Sequence, residues 1–220
     1  MDQISFFSAE ASGPELADLA GVLCGPARIV SFGRTAARLS VPVAESWRVR
    51  VLATEFARRG VRADAVTEEG RQLVRTAFRA DLIGLANTWC PDGVKMLPPG
   101  FRLTGGALRL WALAAGSPAE RGYQFAVDDQ AEIHAALVVA FQRLGLPVRV
   151  GRSPEGDPVV RVTGRRAVAT LGELLGTPPP AAEPVWPAGI TARRPVPAVR
   201  ERKRRAGARA VPGPMHATIW

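Results

Sequence analysis

The sequence predicts an α+β protein: two pseudo-symmetric αββαββα units followed by a disordered basic C-terminal tail. Three observations carry this. A helix–strand passage recurs at an offset of 85 residues, LATEFARRGVRADAV from Leu52 and LVVAFQRLGLPVRV from Leu137. Each copy is flanked by a further helix and by β-rich runs. Prolines and positive charge crowd into the last fifth of the chain.

The elements follow in order. Pro14–Leu23 is apolar-periodic and stops at Gly25-Pro26, a helix with its terminator. Ala27–Phe32 and Thr35–Val43 are β-rich runs around a Gly33-Arg34 turn, a hairpin. The helix containing Leu52 and Phe56 ends at Gly60, and an alternating strand follows at once. Arg71–Arg79 alternates as a strand, with Arg71, Arg75 and Arg79 on one face and Val74, Thr76 and Phe78 on the other. Ala80–Ala86 closes the first unit as a short helix.

In the second copy, Gly105–Ala115 is the first helix, Arg121–Val127 a strand and Asp129–Leu144 the long helix ending at Gly145. Asp128-Asp129 is its expected N-cap. Leu146–Arg152 and Pro158–Thr163 make a hairpin, and Arg165–Leu175 the last helix. Seven residues, Gly116–Gly122, stand where the first copy has a full strand and turn, so this unit reads as shortened. The divisions are therefore 1–91 for the first unit, 92–104 for a proline-bearing connector, 105–176 for the second unit and 177–220 for the tail. That tail holds nine of the 19 prolines and Arg202, Lys203, Arg204 and Arg205, with one helical turn expected around Val199–Arg205. Trp186 and Trp220 are aromatics out of place in a purely solvating tail, of the kind that marks a short docking motif.

Composition excludes several classes. With 220 residues, 47% of them hydrophobic and 22% charged, the chain can build a sizeable core. Its apolar runs are too short and too interrupted for a transmembrane helix, and no secretory signal is visible, so a cytoplasmic protein able to associate with the nucleoid is expected. Two cysteines, Cys24 and Cys90, cannot frame a disulfide scaffold, and two histidines, His134 and His216, give little for imidazole or metal chemistry. Cys24 reads as a buried structural thiol, His134 as a surface or capping residue, and Trp47, Trp89, Trp111 and Leu108 as core. No cofactor and no metal are expected. The net charge of +9, almost all of it from arginine, points to a polyanion partner.

The duplicated αββαββα order resembles the LAGLIDADG homing-endonuclease fold. Leu19-Ala20-Gly21-Val22-Leu23-Cys24-Gly25-Pro26-Ala27 overlays the nine-letter motif at its first three letters. The resemblance implies two motif helices packed through small residues, each delivering an acidic residue at the eighth letter to a shared Mg²⁺. Here the eighth letter is Pro26, and the second helix leads into Ala114-Ala115-Gly116-Ser117. A hard divalent cation needs carboxylate oxygens, so the fold is expected without the nuclease. More specifically the chain is similar to the WhiA family of sporulation and cell-division regulators of actinobacteria. The matching stretches are SFFSAE at 5–10, ELADLAGVL at 15–23, LPPGFR at 97–102, LRLWALAAGS at 108–117, RGYQFAV at 121–127 and AFQRLGLPVRV at 140–150. The helix-turn-helix that the resemblance implies after the second unit has no counterpart in the proline-rich 177–220.

The expected function is non-enzymatic, regulatory DNA binding through phosphate contacts. The candidate DNA-binding residues are Arg34, Arg38, Arg71, Arg75, Arg79, Arg149 and Arg161 on the sheets, with Arg202, Lys203, Arg204 and Arg205 in the tail. An alternative is a protein-interaction module that docks a partner through the sheet or the Trp-ended tail. A residual nuclease would have to draw on Asp64, Glu68 or Asp81.

Overall fold

The computed structural model describes residues 8–187. The first unit opens with a 3₁₀ turn, Leu16–Leu19, that runs into a short helix α1 (Ala20–Leu23). Strands β1 (Arg28–Phe32) and β2 (Ala36–Val43), helix α2 (Ser46–Ala57), strands β3 (Ala63–Glu68) and β4 (Arg71–Thr76) and helix α3 (Ile83–Trp89) follow. The second unit holds α4 (Gly105–Ala115), β5 (Gly116–Ala119), β6 (Gly122–Ala126), α5 (Ala131–Arg143), β7 (Val148–Arg152), β8 (Pro158–Thr163) and α6 (Arg165–Leu175).

The strands form two four-stranded antiparallel sheets with matching orders, β1-β2-β4-β3 and β5-β6-β8-β7. The internal repeat shows at the level of single backbone bonds. Gly60 and Gly145 both sit at φ 72°, where only glycine is unstrained. The Val61 amide bonds the Phe56 carbonyl at 3.0 Å, and the Leu146 amide bonds the Phe141 carbonyl at 3.1 Å. Each helix thus closes on a left-handed glycine that launches the next strand.

The second unit is short but complete. Gly116–Ala119, expected to replace a strand, is itself strand β5 and pairs with Gly122–Phe125 across a two-residue turn at Glu120-Arg121. Glycine and proline hide its strand character in the sequence, and the edge position tolerates Pro118, which has no N–H to offer. The long helix begins at Ala131 rather than Asp129, with Gln130 as its N-cap. Asp128 and Asp129 are drawn off by Lys95 and Arg152 instead.

One core joins the units. Leu52 and Phe56 of α2 are fully buried, as are Leu108 and Trp111 of α4 and Phe125 and Phe141 behind them, and Trp89 is 2% exposed. The Trp111 ring lies 4.7 Å from Phe125 and 5.7 Å from Phe141, centroid to centroid. The seam between α1 and α4 is tighter than side chains allow. A Cβ on Gly21 would stand 1.8 Å from the Ala107 carbonyl oxygen, so only hydrogen fits there. Beside it a buried ion network ties the units: Arg59 bonds Asp18 at 2.9 Å and Glu55 at 2.8 Å, and Arg109 of α4 reaches Glu55 at 3.3 Å.

The expected tail begins later than residue 177. A 3₁₀ turn, Pro180–Val185, packs on the body, with Ala182 fully buried and Trp186 8% exposed. The Trp186 indole donates to the Gly176 carbonyl at 2.9 Å, and the Arg109 guanidinium lies 5.5 Å from the Trp186 ring centroid. Arg109 also bonds the Leu175 and Thr177 carbonyls at 2.8 and 2.7 Å. Prolines 178–180 are already stiff, so ordering them costs little conformational entropy and a few contacts hold the strap. The remaining tail, with the Val199–Arg205 turn and Trp220, lies outside the described residues. Among the described residues no helix is long and apolar enough to cross a membrane.

Two substitutions separate the seam from ordinary packing. Gly21→Ala forces backbone apart and is expected to cost about 3 kcal/mol or more in urea unfolding. Gly84→Ala, in α3 with open space around it, is expected to gain up to ~1 kcal/mol in the same assay. Trp186→Ala is expected to release the strap, seen as new protease cleavage between Thr177 and Pro187 while the rest of the body resists.

Candidate nucleic-acid interface

Each sheet packs one face on the helices and leaves the other open. Along β2 the residues alternate, with Ala37, Leu39, Val41 and Val43 buried and Ala36, Arg38, Ser40 and Pro42 turned outward. The register then assigns the open face of the first sheet. Arg28 opposes Ser40, Val30 opposes Arg38, and Phe32 opposes Ala36. Arg75 opposes Ser40 on one side and Asp64 on the other, and Arg71 opposes Glu68.

Arg71 and Arg75 therefore share the open face as expected, but Arg79 does not. Ser40 pairs with Arg75 whereas Ala37 pairs with Arg79, so residues 76–78 oppose only residues 38–39. This one-residue bulge reverses the alternation. Phe78, expected to face the core, emerges on the open face at 42% exposure. Arg79 is carried to the other side and ion-pairs with Asp81. That bond holds the Asp81 carboxyl below its usual range.

The other candidates differ in how free they are. Arg34 is exposed in the turn after β1 and, among the described residues, has no ion-pair partner. Arg38 lies with its guanidinium 4.7 Å from the Phe78 ring centroid. Arg75 bonds the Ser40 hydroxyl at 3.1 Å and ion-pairs with Glu68. On the second sheet Arg149 stands directly opposite Arg161. The Arg161 Nε donates to the Gln124 Oε1 at 3.1 Å, and the Gln124 amide reaches the Ser117 hydroxyl at 3.3 Å. Strands β5 to β8 carry Arg149, Arg152 and Arg161 and no Asp or Glu. Arg152 has the opposite parity and pairs with Asp129. Arg202, Lys203, Arg204 and Arg205 lie outside the described residues. Arg28 was missed in the sequence reading, although its period-two spacing with Val30 and Phe32 gave the signal.

Between the sheets, at the C-terminal ends of α1 and α4, lies a groove of about 800 Å³ lined by Pro26, Pro42, Arg71, Ala115, Ser117 and Ala126 among others. A buried cation from the chain itself stands beside each helix end, on the turn that follows α1 and on the last turn of α4. Lys95, from the connector, bonds the Ala27 carbonyl at 2.9 Å, the Gly25 carbonyl and Asp128 at 2.7 Å. Arg48, from α2, bonds the Leu113 and Gly116 carbonyls at 2.8 Å, the Ala112 carbonyl at 3.3 Å and the Glu45 carboxylate. Cations at helix C-termini complement the dipole and satisfy orphan carbonyls. Neither was singled out from the sequence, because no spacing links residue 95 to 25 or 48 to 113.

The donor set at this apex is poor for a divalent metal. Pro26, Gly116 and Ser117 supply no carboxylate, Glu45 is committed to Arg48, and Asp157 is the one further carboxylate that lines the groove. Among the described residues, no three His, Cys, Asp or Glu side chains come together. Glu68 and Asp81 are held by Arg75 and Arg79. Cys24 is 1% exposed, and burial pushes its thiol pKa far up. The His134 ring contacts the Asp128 carbonyl at 2.6 Å, alongside the start of α5.

No family model matches the chain, and no curated protein does. Solved structures do. The chain is similar to the homing endonuclease I-WcaI bound to its DNA recognition sequence, with TM-score 0.55 and 12% identity over 74% of this chain and 81% of that one. It is similar to full-length DUF199/WhiA from Thermatoga maritima, with TM-score 0.51 and 12% identity over 76% of this chain and 56% of that one. It is also similar to the N-terminal LAGLIDADG domain of DUF199/WhiA, with TM-score 0.50 and 10% identity over 81% of this chain and 96% of that one. The chain has a WhiA-like, two-unit LAGLIDADG fold, with the motif positions at the helix ends occupied by residues other than acids.

Burial holds the Lys95 pKa below its usual value of 10.5, with Asp128 opposing the shift. The unfolded chain therefore keeps this proton to higher pH than the folded one. Stability is expected to gain a positive slope as pH climbs towards 10.5 from the depressed folded value, and Lys95→Met is expected to remove that slope in urea unfolding across alkaline pH.

Proposed function

We propose that this protein is a non-enzymatic, DNA-binding regulatory protein that lays its two open sheet faces along duplex DNA. The observation that carries the reading is the cross-strand pair of Arg149 and Arg161, opposed in register on a sheet whose strands hold no acid. Like charges directly opposite each other destabilise a sheet. A polyanion on that face would turn the same repulsion into attraction. Arg28, Arg34, Arg38 and Arg71 supply matching charge on the first sheet, with Arg75 half-committed to Glu68.

These groups would meet phosphates, which gives affinity and register without much sequence choice. The basic run at 202–205 would add charge of the same kind. Cleavage has no support at the helix ends, where Pro26 and Gly116-Ser117 offer no ligand for a metal that would activate water. The regulatory role rests on the likeness to WhiA, and the DNA on the likeness to an endonuclease bound to its DNA recognition sequence.

Fluorescence anisotropy with a labelled duplex tests this. The logarithm of the affinity is expected to fall linearly with the logarithm of salt concentration, with a slope of about −0.9 for each phosphate neutralised. Arg149→Gln is expected to weaken binding and reduce that slope by about 0.9, while leaving thermal stability unchanged or slightly raised, because it removes the opposed charge. Absence of binding near physiological salt would remove the proposal. Metal-dependent nicking of plasmid would overturn its non-enzymatic part.

A further inference from the structure

The two open faces are not equivalent. On the second, Ser117, Gln124 and Arg161 are linked by hydrogen bonds, and no aromatic ring is exposed. On the first, three apolar side chains stand in water at the end nearest the Gly33-Arg34 turn. Val30 is 46% exposed, Phe32 68% and Phe78 42%. Phe32 and Val30 point outward because β1 alternates, and the bulge at residues 76–78 brings Phe78 beside them. The two phenyl rings lie 5.6 Å apart, centroid to centroid, and tilted by 53°.

Charge narrows what could cover this strip. Residues 27–44 carry Arg28, Arg34 and Arg38 and no acidic residue, so the hairpin is cationic throughout. Arginines of that kind draw a polyanion, yet a phosphate gains nothing from a phenyl ring. Within the major groove of duplex DNA the apolar group on offer is the C5-methyl of thymine. Stacking on an unpaired base needs a free ring face. One face of Phe78 is covered by the Arg38 guanidinium at 4.7 Å, and Phe32 abuts the ring, so methyl contact at exposed edges fits the pair better.

We propose that Val30, Phe32 and Phe78 form a thymine-reading strip, which makes the first half of the DNA site prefer thymine and leaves the second half without that preference. This inference rests on the DNA-binding reading, and the experiment separates the two. Affinity of the full chain is measured for a thymine-rich duplex and for the same duplex with deoxyuridine in place of every thymine, which removes only the methyl groups. The thymine duplex is expected to bind about three- to fivefold more tightly for each methyl engaged. Phe32→Ala, at a position too exposed for folding to depend on it, is expected to lose most of that preference. Arg34→Gln is expected to weaken both duplexes equally. Equal affinity of the wild-type chain for the two duplexes, or a preference undiminished in Phe32→Ala, overturns the strip but leaves DNA binding intact. Failure to bind either duplex overturns both readings.

Discussion

The contact on which the architecture depends is the approach of α1 to α4 at Gly21, where the neighbouring carbonyl of Ala107 occupies the space of a side chain. Close backbone packing of two short helices fixes their crossing, and the crossing fixes where their C-terminal ends lie. Each sheet is hung from one of these ends through β1 or β5. The spacing of the open faces, and hence any surface the protein presents to a rigid polymer, follows from one missing methyl group.

The apex that this packing creates is a place of concentrated negative partial charge, since two helices end there. This chain places Lys95 on the carbonyls of the turn that follows α1 and Arg48 on those of the last turn of α4, each balanced by one acid, Asp128 or Glu45. A buried ammonium or guanidinium left without partners would be strongly destabilising, so the carbonyls, the cations and their acids stand or fall together. The chain thus supplies its own counter-ions at this apex, Lys95 on one side and Arg48 on the other.

The two sheets share strand order but differ in what they expose. The second carries its arginines without an exposed aromatic ring, and the first is cationic with an apolar end. Val30 and Phe32 on β1 begin that end, and a bulge of one residue completes it, because it exchanges the faces of Phe78 and Arg79 without altering the strand order. Pseudo-symmetry of backbone is thus compatible with asymmetry of recognition, and duplicated units can diverge by a single residue of register.

Much of this was legible in the chain itself. The period of helix and strand, the glycine stops at Gly60 and Gly145 and the repeat at 85 residues are local properties, set by backbone sterics and side-chain periodicity, and they fix the two units and their order. The alternation of Arg71 with Arg75 was equally local. What lay beyond it depended on partners far away in sequence. The strand at Gly116–Ala119 exists because β6 pairs with it, the strap at Trp186 because Arg109 and Gly176 receive the indole, and the contacts of Lys95 and Arg48 because carbonyls about 70 residues away in sequence arrive beside them. Local preference is read along the chain, whereas bulge, strap and buried cation are choices made by packing, where a distant carbonyl or ring decides which conformation is lowest in free energy.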